Sequence, residues 1–201
     1  MGTRAQPLDS LVDELARSRI GATFNQYAEG ERAPLLRARL AAYLEERGGA
    51  PLLLVGEAAG YRGARVSGIP FTSERQLTDA GPAEATATIV HRVLGQLGLE
   101  DVLLWNVVPT HPGTERSNRA PTRAEVREGL RFLERLARGR RVVAVGRVAA
   151  GALGCPCVRH PSHGGAAEFA SGLARYSRRS TTSERPSTTI SPRATTCRRS
   201  A

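Results

Sequence analysis

The chain is predicted to fold as an α/β protein of three layers, αβα, around a short central parallel sheet. Three observations predict it. Short continuous apolar runs at residues 51–55 (PLLLV), 102–105 (VLLW) and 141–145 (RVVAV) have the length of strands buried on both faces. Between them lie longer segments whose apolar residues return every three or four positions, the period of a helix packed on one side. The alternation of the two implies parallel strands joined by crossover helices. At 201 residues, one domain of ordinary size is expected.

Each element has its own signal. Asp9 and Ser10 precede Leu11, Val12, Leu15 and Ile20, the pattern of a short capped helix. Residues 32–47 place Leu35, Leu36, Leu40 and Leu44 at helical spacing, and Gly48-Gly49 stops them. The first strand, 51–55, is followed by some 25 residues rich in Gly, Ser, Thr and Pro. A loop that long in a compact domain is usually functional or disordered. Residues 82–97 read as a helix with Ala85, Ile89, Val93 and Leu97 on one face. A second strand at 102–105 leads into a polar loop reaching Ala120. Thr122 and Glu125 then form a capping box for a helix to about Arg138. Residues 141–145 are the third strand. Gly146 turns the chain into a short helix ending at Leu153, residues 157–158 form a brief fourth strand, and 166–175 a last helix.

The folded domain is thus expected over 1–175. Residues 176–201 hold six arginines against one glutamate, and Ile190 is their only aliphatic residue larger than alanine, too little to bury a core. A disordered basic tail, a tail that clings to nucleic acid and a frameshifted end all remain open.

Composition narrows the classes of function. Aromatic residues are only 4% of the chain, so the core must be mostly Leu, Val and Ala. No apolar run approaches the roughly 20 residues that span a bilayer, and the first residues lack the apolar stretch of a secretory signal. A cytoplasmic location with no membrane partner is the default. The net charge of +10 rests on arginine alone, since lysine is absent. Such a surplus suits a polyanionic partner, and equally the codon bias of a GC-rich genome. The absence of lysine excludes Schiff-base chemistry on that residue. Three cysteines, Cys155, Cys157 and Cys197, cannot by themselves supply four ligands to zinc or to an iron–sulfur cluster. No metal and no cofactor is expected.

Three segments carry chemistry, and each lies beyond the carboxyl end of a predicted strand, where ligands bind in parallel sheets. The first is Gly56-Glu57-Ala58-Ala59-Gly60 with Gly68-Ile69-Pro70-Phe71. Its glycines permit close approach of a ligand to backbone N–H groups. A nucleotide loop of Rossmann type is the plain alternative, although G-x-G-x-x-G is missing from the turn and no G-K-[ST] follows. Phe71 alone reads equally as a core residue. The second segment is Leu104-Trp105-Asn106-Val107-Val108-Pro109, in which Asn106 alone reads as a strand-end cap or turn residue. The third is Arg159-His160-Pro161-Ser162-His163-Gly164-Gly165. A histidine after a strand reads as a metal ligand or a core residue, and no second and third ligand stand at metal spacing from His160.

In order and type these segments resemble the uracil-DNA glycosylase superfamily, over about residues 51–174. The first resembles the G-E-A-P-G and G-x-P-F pattern of its iron–sulfur members. The second continues as Thr110-His111-Pro112 and Asn118-Arg119-Ala120-Pro121, similar to their C-x-P and N-R-x-P. The third matches H-P-S. The resemblance implies a monofunctional glycosylase of base-excision repair, a monomer acting on DNA that contains uracil or a related base. It implies that Gly56, Ala58 and Gly60 line the base pocket, that Phe71 stacks on the flipped base and that Asn106 reads its edge. It makes His160 the stabiliser of the leaving base and Ser162 a phosphate contact, with Arg119 on DNA and His163 a candidate to fill the vacated stack. A phosphate contact by His111 is a further option. Departures from the pattern are Ala59 for proline, Thr110 for a cluster cysteine, and residues 61–67 without a carboxylate. Glu57 is then the best candidate to position or activate water, and Glu74 a poorer one. The rival classes are a catalytically weak damaged-base binding protein and a nucleoside hydrolase.

Overall fold

The computed structural model describes residues 8–177. Four parallel strands form the central sheet: β1 (Leu52–Ala58), β2 (Val102–Val108), β5 (Arg141–Val145) and β6 (Cys157–Val158), in the order β2-β1-β5-β6. The remaining strands, β3 (Gly113–Thr114) and β4 (Ser117–Asn118), form a small antiparallel hairpin. The helices are α1 (Leu8–Arg17), α2 (Ala33–Arg47), α3 (Ala64–Ser67), α4 (Glu74–Thr78), α5 (Ala85–Gln96), α6 (Arg123–Ala137), α7 (Arg147–Leu153) and α8 (Ala166–Ser177). This is the expected three-layer αβα arrangement.

The topology follows from the handedness of crossovers. From β1 the chain steps one way to β2, then back past β1 to β5 and on to β6. Right-handed crossovers therefore put α5 on one face and α6 and α7 on the other. Burial agrees. Leu53, Val55, Leu103, Trp105 and Val142 pack with α1, α2, α6 and α7. Leu52, Leu54, Leu104, Val143 and Val145 pack with Val90, Val93 and Leu94 of α5 and with Phe169 and Leu173 of α8. Alternate residues of each strand thus serve opposite cores. The free edge of β2 is closed by Tyr43 of α2, whose hydroxyl accepts from the Leu104 N–H at 2.7 Å.

The strands run further than their apolar runs suggest. Gly56, Glu57 and Ala58 belong to β1, not to a turn, because Gly56 and Ala58 pair with Asn106 and Val108 of a β2 that is buried throughout. Asn106 is accordingly inside a strand rather than at its end. The long polar loop after β1 contains α3 and α4. The helix predicted from residue 82 begins at Ala85, and α1 starts at Leu8, ahead of its expected cap. The last helix continues through Tyr176 and Ser177, two residues into the predicted tail, with the Arg141 guanidinium donating to the Tyr176 carbonyl at 2.7 Å. The tail from residue 178 lies outside the described residues.

One buried carboxylate organises the loops around β2. Thr122 and Glu125 make the predicted capping box at the start of α6. Glu125 is 1% exposed, yet it accepts both guanidinium nitrogens of Arg119, at 2.6 and 2.8 Å, and the N–H groups of Thr122 and Ala22. The Arg119 pairing first, with the backbone donors, outweighs burial and lowers the Glu125 pKa to about 2. Gly21, at φ +51°, lies so close that a Cβ there would meet Glu125 Cγ at 2.5 Å. A carboxylate held below its unfolded value contributes stability above about pH 4.5 that is lost as pH falls toward about 2. Glu125→Gln is therefore expected to cost about 3 kcal/mol at pH 7. Thermal melts of the two proteins should converge as pH is lowered from 5 toward 2.

Candidate active site

A cleft of about 300 Å³ opens at the carboxyl ends of the strands. Its walls include Glu57 and Ala58 from β1, Ala59 and Gly60 after it, Phe71, Asn106 from β2, Arg119 and His160. The three segments separated by a hundred residues of sequence thus meet in one place. Of the residues the sequence singled out for the base pocket, Gly56 lies beneath this cleft and the others line it.

Gly56 is the floor. Parallel register sets it beside Asn106, and strand alternation puts both on the α5 face of the sheet. A Cβ on Gly56 would stand 2.3 Å from Phe71 Cζ and 2.7 Å from Asn106 Oδ1. Only the absence of a side chain lets the ring and the carboxamide close over the strand. Phe71 is held at φ +53°, a left-handed conformation that a bulky residue adopts only when its surroundings impose it. Those surroundings are specific. The Ser67 hydroxyl donates to the Thr72 carbonyl at 2.6 Å, and the buried Tyr27 hydroxyl donates to the Gly68 carbonyl at 2.9 Å. Asn106 is 4% exposed, and its side chain has no hydrogen-bond partner among the described residues. A buried amide open to a cleft keeps both its donors and its acceptor available there.

His160 follows β6 and is half-buried. The Ser162 N–H donates to its Nδ1 at 3.2 Å, and the Ser162 hydroxyl lies 2.7 Å from the same atom. Nδ1 is therefore the acceptor, and the proton of the neutral ring sits on Nε2. Burial first, then the charges of Arg159 and His163, lower the pKa, so the ring is neutral at pH 7. The result is an uncharged N–H donor on the wall of the cleft. Ser162 also contacts Nδ1 of His163 at 3.0 Å. His163 is exposed at φ +52°. Ser162 is thus engaged with the histidines on either side, and His163 stands outermost.

The other expectations meet different fates. The Arg119 guanidinium lines the cleft with its charge already met by Glu125. Glu74 pairs with Arg32 and Arg39, each at 2.8 Å, and ties α4 to α2. His111 is fully buried, where no phosphate reaches it. Its Nδ1 and Nε2 each lie 2.8 Å from a carbonyl oxygen, of Ala59 and of Thr114. Thr110, at the cluster-cysteine position, is buried with its hydroxyl 2.6 Å from that of Thr23. No group of three metal-ligating side chains occurs among the described residues.

One residue of the cleft escaped the sequence reading. Glu84 precedes α5 and makes no side-chain cap. Its carboxylate instead rests against the turn after β1, where a Cβ on Gly60 or Gly63 would meet its oxygens at 2.1 or 2.2 Å. Burial raises its pKa to about 7, and burial also raises that of Glu57. A carboxyl raised in the folded state loses stability for the protein as pH climbs from about 4.5 through about 7. Glu84→Gln should leave the melting temperature unchanged at pH 5 and raise it at pH 8, as scanning calorimetry at the two pH values would record. A lower melting temperature at both would mean that the carboxylate is a structural tie.

Comparison with known proteins accords with this geometry. A model of the uracil DNA glycosylase superfamily matches residues 45–191. No curated protein matches the sequence. Among solved structures, wild-type SMUG2 of Pedobacter heparinus superposes with a TM-score of 0.60 at 13% identity, over 85% of this chain and 95% of that one. Wild-type UNG of Nitratifractor salsuginis aligns over 88% and 98% at 15% identity, with a TM-score of 0.42. The first likeness is one of fold, and the family match spans well over half the chain. The protein belongs to the uracil DNA glycosylase superfamily.

Proposed function

We propose that the protein is a monofunctional DNA glycosylase that removes uracil, or a related deaminated base, by hydrolysing the N-glycosidic bond. The observation that carries this reading is the convergence of an aromatic ring, an unpartnered carboxamide and a neutral imidazole donor on one cleft. The nucleotide leaves the stack at a cost of a few kcal/mol. Phe71 stacks on the base, a contact of about 1–3 kcal/mol. Asn106 donates to one edge atom and accepts from the next, a pattern that fits uracil and mismatches the exocyclic amine of cytosine. As the bond to the sugar breaks, negative charge gathers on the base oxygen. The His160 Nε2–H donor stabilises it without carrying a positive charge into the ground state. Glu57 positions the attacking water. Arginines and backbone amides engage the phosphates, with Ser162 orienting His160 and His163 facing the vacated stack.

The first test is a labelled duplex with one U opposite G, incubated with excess protein and then treated with alkali. Strand cleavage at U is expected. A shifted band on that duplex with no cleavage would favour a damaged-base binding protein. Loss of His160 should be a kinetic lesion. His160→Ala is expected to slow single-turnover excision about 100-fold or more with little change in DNA affinity, as separate rate and binding titrations would show. Asn106→Asp should weaken discrimination between uracil and cytosine by about tenfold, measured as the ratio of excision rates from U:G and C:G duplexes. Unchanged selectivity would remove Asn106 from its role.

A further inference from the structure

The stretch after the glycine turn, residues 61–67, holds no acidic side chain. The fold brings one there from elsewhere. Glu84 comes 24 positions after Gly60, from the residue just ahead of α5, and its carboxylate fills the space that Gly60 and Gly63 leave empty. Its side chain forms no ion pair and no hydrogen bond among the described residues. It lines the cleft together with Phe71, Asn106 and His160. It also reaches the cleft from the correct side. Helix α5 packs on the face of the sheet that carries Phe71, and Gly56 and Asn106 belong to that same face. Glu57, with the strand parity of Leu53 and Val55, borders the same cleft from beside that face.

We infer that Glu84 is the general base of the reaction, taking a proton from the water that Glu57 positions. This rests on the glycosylase reading above. The water oxygen bonds to C1′ of the deoxyribose as the C1′–N1 bond breaks. The electron pair of that bond leaves with the base as an N1 anion, whose charge spreads to the oxygen facing His160. The water proton passes to the Glu84 carboxylate, which later releases it to solvent. A base must be ionised to act, and its efficiency is greatest when its pKa lies near the working pH. Burial, which brings the Glu84 carboxyl to about 7, meets that condition. His160 and Arg119 do not duplicate it. His160 is lowered from 6.5, and the Arg119 charge is paired with Glu125. Glu57, half-buried like Glu84, also borders the cleft and is also raised by burial, so the two are told apart by their pH profiles.

The test is single-turnover excision from the U:G duplex across pH 5–9, with affinity for the same duplex measured in parallel. In the wild-type full chain the rate should rise with pH through about 7. Glu84→Gln should lower the rate at pH 8 about 100-fold or more, abolish that rise and leave affinity within twofold. Glu57→Gln should retain the rise. Gly60→Ala, which displaces the Glu84 carboxylate without removing it, should repeat the Glu84→Gln profile. Retention of both rate and rise in Glu84→Gln would overturn the assignment, as would a loss of affinity matching the loss of rate. An inactive wild type would remove the glycosylase reading itself, and the assignment with it.

Discussion

The pairing of Gly56 with Asn106 is the constraint on which the cleft depends. It is fixed by six register pairs of β1 with β2, from Leu52 opposite Val102 to Ala58 opposite Val108. A one-residue slip in either strand would send its partner to the other face of the sheet. Apolar burial on both faces resists that slip, since Leu52 and Leu54 serve one core while Leu53 and Val55 serve the other. The precision of the site is therefore a by-product of core packing. Asn106 need not find its own position, because the same residues that exclude water from the sheet set its height and its side. Phe71 then closes against the strand only because Gly56 offers no Cβ.

The loops that complete the cleft have little apolar surface and are held by polar contacts instead. Glu125 gathers Arg119 and the N–H groups of Ala22 and Thr122. His111 links the carbonyl after β1 to the hairpin, and its backbone pairs with Phe24 at 2.9 Å in both directions. The Gln26 amide donates to the Pro109 carbonyl. Glu125, His111 and Gln26 are buried, so leaving one of them without its partner costs the desolvation of that group, about 1–3 kcal/mol. The segment before α2 is thus part of the scaffold of the cleft, although it contributes no side chain to its lining.

The layered fold was legible in the sequence because its signals are local. PLLLV and RVVAV can be little other than buried strands, and Thr122 with Glu125 announces α6. The strand ends were not legible, since Gly56 and Asn106 look like turn formers and become strand only by pairing with each other. Phe71, Asn106 and His160 were found through motif resemblance, which periodicity could not have supplied. Glu84 was missed for a physical reason. It stands between Ala83 and Ala85 in a stretch with no motif, and at a helix start a glutamate reads as a favourable charge. Only the approach of α5 to the turn at Gly60 and Gly63 gives it meaning. A weak sign was available, namely that residues 61–67 lack the carboxylate the motif leads one to seek.

Desolvation links stability to chemistry in this cleft. Glu57 and Glu84 are both carboxyls raised by burial, and neither has a cationic partner among the described residues. Glu74 and Glu125 show that the chain pairs buried carboxylates where structure alone is served. An arginine beside Glu84 would have stabilised the fold and lowered the proton affinity of the carboxylate. The chain has arginines in abundance, and the one that lines the cleft, Arg119, is committed to Glu125. An unpaired carboxylate destabilises the ionised protein, but it keeps a proton acceptor whose affinity lies near neutral pH. Strain at Phe71 and the unpartnered amide of Asn106 are costs of the same kind, carried where a flipped base would offset them. A merely structural cavity of this size would be expected to pair or replace these groups, and their concentration around one cleft is the physical argument that the cleft is used.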